Sequence, residues 1–158
     1  MRHASKILAA LASVLIFAGC AHTDSAAHTH TAKRVFLEKM GEGKFDQLDE
    51  IYGPGFVAHG ASRDYTLEED NESGKTWRAA FPDVKVKIER TVANDDLVAV
   101  HWSASGTNTV AAGGMPGQGK KANVEGMTFF RFADDRIVEE WSIIDIAALN
   151  RQLMQDAP

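Results

Sequence analysis

Cysteine is almost missing from this chain: Cys20 is the only one in 158 residues. A lone thiol excludes an internal disulfide, and the fold must be held by its core. Positive charge is also short, with 17 Lys and Arg against 22 Asp and Glu and a formal net charge of −5. An acidic chain without a basic stripe argues against a nucleic-acid partner. No hydrophobic run is long enough to span a bilayer. The longest, Ile7 to Gly19, would make a helix of roughly 20 Å at 1.5 Å per residue. The hydrocarbon core is ~30 Å thick. Internal repeats, heptads and low-complexity blocks are absent too.

What the start does contain is Arg2, His3 and Lys6, then that apolar run, then small residues before Cys20. This order reads as a secretory signal peptide over residues 1–19. Phe17-Ala18-Gly19-Cys20 resembles the lipobox of bacterial lipoproteins. The resemblance implies cleavage before Cys20, lipid attachment at Cys20, and a lipid anchor as the only membrane contact. With Ala21 next in line, it implies the outer membrane, on the periplasmic side, if the source is Gram-negative. Residues 20–31 carry small polar residues without periodicity and read as the lipidated cysteine plus a flexible tether. His22, His28 and His30 fall there and read as solvated linker histidines, not metal ligands. No metal site is expected. Loss of Arg2 and Lys6 with the signal takes the formal charge from −5 to −7.

Residues 32–158 suffice for one domain with its own core. Helical spacing covers Ala32 to Met40, Phe45 to Tyr52 and Thr66 to Phe81. A short extended piece, Phe56 to His59, lies between the last two. Four strand-like runs follow: Val84 to Val92, Asp96 to Thr107, Lys121 to Phe132 and Arg136 to Ile144. Asp95-Asp96 and Asp134-Asp135 sit at turns. Asn108 to Gly119 is glycine-rich and reads as a long hairpin loop near a pocket mouth. Helices segregated from an antiparallel sheet make an α+β fold.

The last strand offers the clearest chemical candidate. Glu139, Trp141, Ile143 and Asp145 alternate onto one face. Asp145 has two readings: a capping residue for the helix that follows, or an acid in apolar surroundings with a raised pKa. With a two-residue turn at Asp134-Asp135, Trp141 pairs with Thr128 and Ile143 with Gly126. A bulge would overturn that register. Glu139 and Glu140 read as exposed.

The stretches FDQLDEIYGPGFVAHG, AAFPDVKVKIE, LVAVHWSASGTNT and MTFFRFADDRIVEEWSIIDIAALNRQL together resemble the SnoaL-like polyketide cyclases, or ester cyclases, of the nuclear-transport-factor-2-like superfamily. The resemblance implies a cone: a curved antiparallel sheet wrapped around N-terminal helices with an internal pocket. It also implies cofactor-free acid–base chemistry, an aldol-type ring closure or isomerisation of a small apolar carbonyl compound. Asp145 would be the general acid/base, with His59 and His101 assisting. Trp141, Asn108, Thr128, Ile143, Phe130 and Trp102 would line the substrate site. A homodimer formed through the sheet is expected. The alternative is an envelope-anchored module of the same fold that binds a small molecule without reaction.

Overall fold

The computed structural model describes residues 20–154, with side chains from residue 25 onward. The expected signal peptide and the Cys20 side chain lie outside the described residues.

The fold is α+β, as expected. Six strands form one sheet in the order β2-β1-β8-β7-β4-β3. Its body is three long antiparallel hairpin partners plus the last strand: β3 (Lys85–Asn94), β4 (Leu97–Asn108), β7 (Lys120–Ala133) and β8 (Arg136–Ile144). The hairpin turns fall on acidic residues because Asp tolerates a left-handed backbone. Asp95, Asp134 and Asp135 have φ of 43°, 48° and 60°. The short β1 (Tyr52–His59) adds to β8 in parallel, the one departure from an antiparallel sheet, and β2 (Asp64–Tyr65) closes the edge. The glycine-rich loop after β4 folds into a small hairpin of its own, β5 (Ala111–Ala112) and β6 (Met115–Pro116).

Two bulges decide which side chains enter the core. The β7–β8 turn is the expected two-residue one, since Ala133 pairs with Arg136 and Phe132 with Ile137. Register then slips by one, and Arg131 pairs with Glu139. Val138 is the extra residue. Beyond it, Trp141 lies opposite Phe129 and Ile143 opposite Met127, not opposite Thr128 and Gly126. A one-residue slip exchanges the two faces of a strand. The same happens at Glu89 on β3, between Ile88 and Arg90.

The inner face carries Val98, Val100 and Trp102 from β4, and Val124, Thr128, Phe130 and Phe132 from β7, all buried. Against it pack the N-terminal helices. α1 (Cys20–Arg34) runs on into a π-helical stretch, Val35–Met40, which turns Val35, Phe36 and Lys39 inward. A 3-10 turn (Asp46–Ile51) and α2 (Leu67–Ala80) follow. α2 starts where a capping box is written. The Thr66 hydroxyl accepts from the Glu69 amide at 3.3 Å, and the Glu69 carboxylate accepts from the Thr66 amide at 3.0 Å. α3 (Ile146–Met154) buries Leu149 and Leu153.

The tether reading gives way where side chains are described. His28 is buried and stacks on Phe132 at 4.2 Å between ring centroids. One ring nitrogen lies 3.2 Å from the Asp95 carbonyl oxygen, the other 3.1 Å from Asp135 Oδ1. His28 is therefore a clamp between α1 and the two acidic hairpin turns, not a solvated residue. Ala26, Ala27 and Ala32 around it favour helix, and contact with the turns supplies what local sequence lacked.

Candidate active site

A cavity of about 180 Å³ lies between the inner face of the sheet, the π stretch and α2. Its walls are mostly apolar: Phe36, Met40, Trp77, Phe81, Val86, Trp102 and Ile144 among them. Phe36 stacks on Trp102 at 5.3 Å. Trp102 fits because Gly126 faces it across the strands, where a Cβ would collide with the indole ring. A second, more polar space of about 250 Å³ adjoins it, lined by Ala58, His59, Gly60 and Tyr65. Asp70, Ser73, Glu140 and Ser142 border both spaces. These four residues mark the junction between an apolar chamber and its mouth.

Three charged groups meet at that junction. Lys39 is 2% exposed, its ammonium donating to Asp70 Oδ2 at 2.7 Å and to the Tyr52 hydroxyl at 3.0 Å. An ammonium has three donors, so one remains. Among the described residues no further hydrogen bond from this ammonium occurs. Glu140 stands beside this pair. Burial pushes its carboxyl up to about 7, and the Asp70 carboxylate adds to the rise. The Lys39 charge and a hydrogen bond from Ser142 pull the other way. Burial likewise lifts the Tyr52 phenol well above its usual range.

Ser142 Oγ donates to Glu140 Oε1 at 2.8 Å and lies 2.8 Å from Thr128 Oγ1, which in turn accepts from Trp102 Nε1 at 3.1 Å. Thr128 and Trp102, both expected at the site, are thus present there. Phe130 is fully buried behind them and packs edge-on to Phe36 at 5.9 Å, as core and not as wall.

The other expected residues stand elsewhere. Asp145 is exposed and borders neither cavity. Its Oδ1 accepts from the Ala148 amide at 2.8 Å, which makes it the N-cap of α3. The capping alternative describes it, and the expected acid/base role does not fit its place. Trp141 and Ile143 lie on the outer face, exposed, because of the Val138 bulge. His101 also faces outward, with Nε2 3.3 Å from Glu125 Oε2. Asn108 is fully buried but structural: its amide donates to the Ala80 and Val110 carbonyls and accepts from the Gly117 amide. His59 sits at the mouth. It stacks on Trp141 at 4.6 Å, with Nδ1 3.0 Å from Asp64 Oδ1. Glu139, read as exposed, is half-buried and pairs with Arg131 at 2.6 Å, whose hydrogen bond holds its carboxyl below the usual range.

Glu140, Asp70, Lys39 and Ser142 are the residues that sequence reasoning missed. Glu140 was hidden by one bulged residue, since parity counted from the turn puts it outside. The lysine carried a weak signal: Lys39 follows Val35 and Phe36 at helical spacing, on the apolar stripe and not opposite it.

Comparison with known proteins agrees with the fold. The family model of SnoaL-like polyketide cyclases matches residues 30–153. The chain belongs to that family. Among solved structures, a protein assigned as a SnoaL-like polyketide cyclase from Jannaschia sp. CCS1 superposes with a TM-score of 0.76 at 21% identity, covering 84% of this chain and 95% of that one. A protein assigned as a polyketide cyclase from Acidithiobacillus ferrooxidans gives 0.72 at 27% identity, over 84% and 98% of the two chains. IdmH from Streptomyces antibioticus, assigned likewise, gives 0.69 at 26% identity, over 80% and 97%. No curated protein matches.

Proposed function

We propose that this protein is a cofactor-free acid–base catalyst, a cyclase or isomerase acting on a small apolar carbonyl compound, with Glu140 as the group that moves the proton. The observation that carries this reading is a carboxyl at the edge of an apolar chamber, pushed up to about 7 by its burial. Such a group takes a proton from carbon and returns it near neutral pH. In the first step the C–H bond beside the substrate carbonyl breaks. Its proton goes to Glu140, and its electron pair ends on the carbonyl oxygen. The third donor of the Lys39 ammonium is available to that oxyanion. In the second step Glu140 returns the proton, to a different carbon in an isomerisation or to the attacked carbonyl oxygen in a ring closure.

The test is proton exchange at the α-carbon of cyclohexanone in heavy water, followed by NMR. Exchange that is faster than buffer with the wild type and at the buffer rate with Glu140→Gln supports the reading. Saturable binding without exchange would favour the binding-module alternative.

Place and partners belong to the same proposal. A lipid on Cys20 would hold the domain at the envelope. Met127, Phe129, Trp141 and Ile143 form an exposed apolar stripe across β7 and β8, suited to a second copy of the chain.

A further inference from the structure

We infer that Thr128, acting through Ser142, is a positioning residue that commits one oxygen of Glu140 to the protein and leaves the other to exchange a proton with substrate. The inference rests on the acid–base reading of Glu140.

The direction of each hydrogen bond follows from chemistry. The Trp102 indole can only donate, so Thr128 Oγ1 accepts from it at 3.1 Å. Ser142 has one hydroxyl proton, and it goes to Glu140 Oε1 at 2.8 Å. The 2.8 Å contact between the two hydroxyls must then be Thr128 donating to Ser142. The result is a one-way chain across three strands: Trp102 on β4, Thr128 on β7, Ser142 and Glu140 on β8. Thr128 and Ser142 are direct cross-strand partners, and Ser142 lies two residues after Glu140 on the same face, so the strand pairing sets all the spacings.

A proton on Oε1 would reverse this chain. Ser142 would have to donate to Thr128, and the Thr128 proton would lose its acceptor while Trp102 still donates to the same oxygen. Oε1 therefore stays unprotonated. Among the described residues no hydrogen bond reaches Oε2, which is the oxygen left to exchange a proton with substrate.

The test is the carboxyl titration of Glu140 by carbon-detected NMR in the full domain, with Glu140→Gln to assign the signal. Removing a donor to the carboxylate moves the titration midpoint up. Ser142→Ala is expected to raise it by about half to one pH unit, the worth of one ordinary hydrogen bond. Thr128→Val is expected to move it the same way by less, and Thr128→Ser, which keeps the hydroxyl, to return it to the wild-type value. A fold defect alone would not separate Thr128→Ser from Thr128→Val in this manner. Midpoints unchanged in both Ser142→Ala and Thr128→Val would overturn the inference and leave the Glu140 reading standing. A wild-type midpoint near 4.5 that still moves in the variants would keep the chain and remove the acid–base reading instead.

Discussion

Replacing Glu140 with Gln should make the protein more stable, increasingly so as pH rises from 4.5 to 7. The folded carboxyl titrates at about 7 against 4.5 for the unperturbed group. The folded state therefore holds a proton that the unfolded state releases as pH rises through 4.5. Stability is full below that value, falls as pH climbs to 7, and levels off above it. Each pH unit between the two midpoints costs about 1.4 kcal/mol, so the wild type at pH 8 has lost about 3 kcal/mol to this one ionisation, and under about 1 kcal/mol at pH 5. Gln is isosteric and uncharged, and it escapes the loss. Urea unfolding of both proteins at pH 5, 6, 7 and 8 measures this directly. With a urea dependence of roughly 1–3 kcal/mol/M, the variant's midpoint at pH 8 should exceed the wild type's by about 1–3 M, and the gap should close towards pH 5. A gap that stays constant with pH, or opens at low pH, would mean that Glu140 is solvated and that the proposed chemistry lacks its acid.

Three more outcomes follow from named contacts. Asp145→Ala should cost about 1 kcal/mol through loss of the α3 cap, and cyclohexanone exchange by the variant should match the wild type. His28→Ala removes the stack on Phe132 and two hydrogen bonds, and calorimetry should show a loss of about 2–4 kcal/mol. Ile143→Asp, at a position 77% exposed on the outer stripe, should leave the fold intact, and sedimentation should find it monomeric where the wild type self-associates.

Much of the architecture was readable because local chemistry wrote it. The Thr66–Glu69 capping box starts α2, and paired aspartates mark the hairpin turns. The four long strands fall within a few residues of their apolar alternation. The site was less readable, for a definite reason. Parity along β8 is counted from the turn, and the count is right until Val138 adds one residue. Nothing local in Arg136-Ile137-Val138-Glu139 announces a bulge, which shows only in the pairing of β8 with β7. From that residue onward every inner assignment became an outer one. Trp141 and Ile143 left the cavity, and Glu140 and Ser142 entered it. Thr128 and Trp102 kept their places because the β4–β7 pairing runs without a slip from Leu97 to Asn108. The charged partners, Lys39 and Asp70, come from two helices whose meeting is a tertiary fact that no strand pattern contains.

The His28 clamp also joins parts of the chain that are far apart in sequence. α1 reaches the sheet beside Asp95 and Asp135, at the end where the hairpins turn. β8 leaves that end at Arg136, and the mouth residues His59 and Ser142 lie towards its far end, where His59 pairs with Trp141. One imidazole fastens the helix on which the chain enters the domain to two turns far along the sequence, so that a change loosening one of these three parts loosens its hold on the other two.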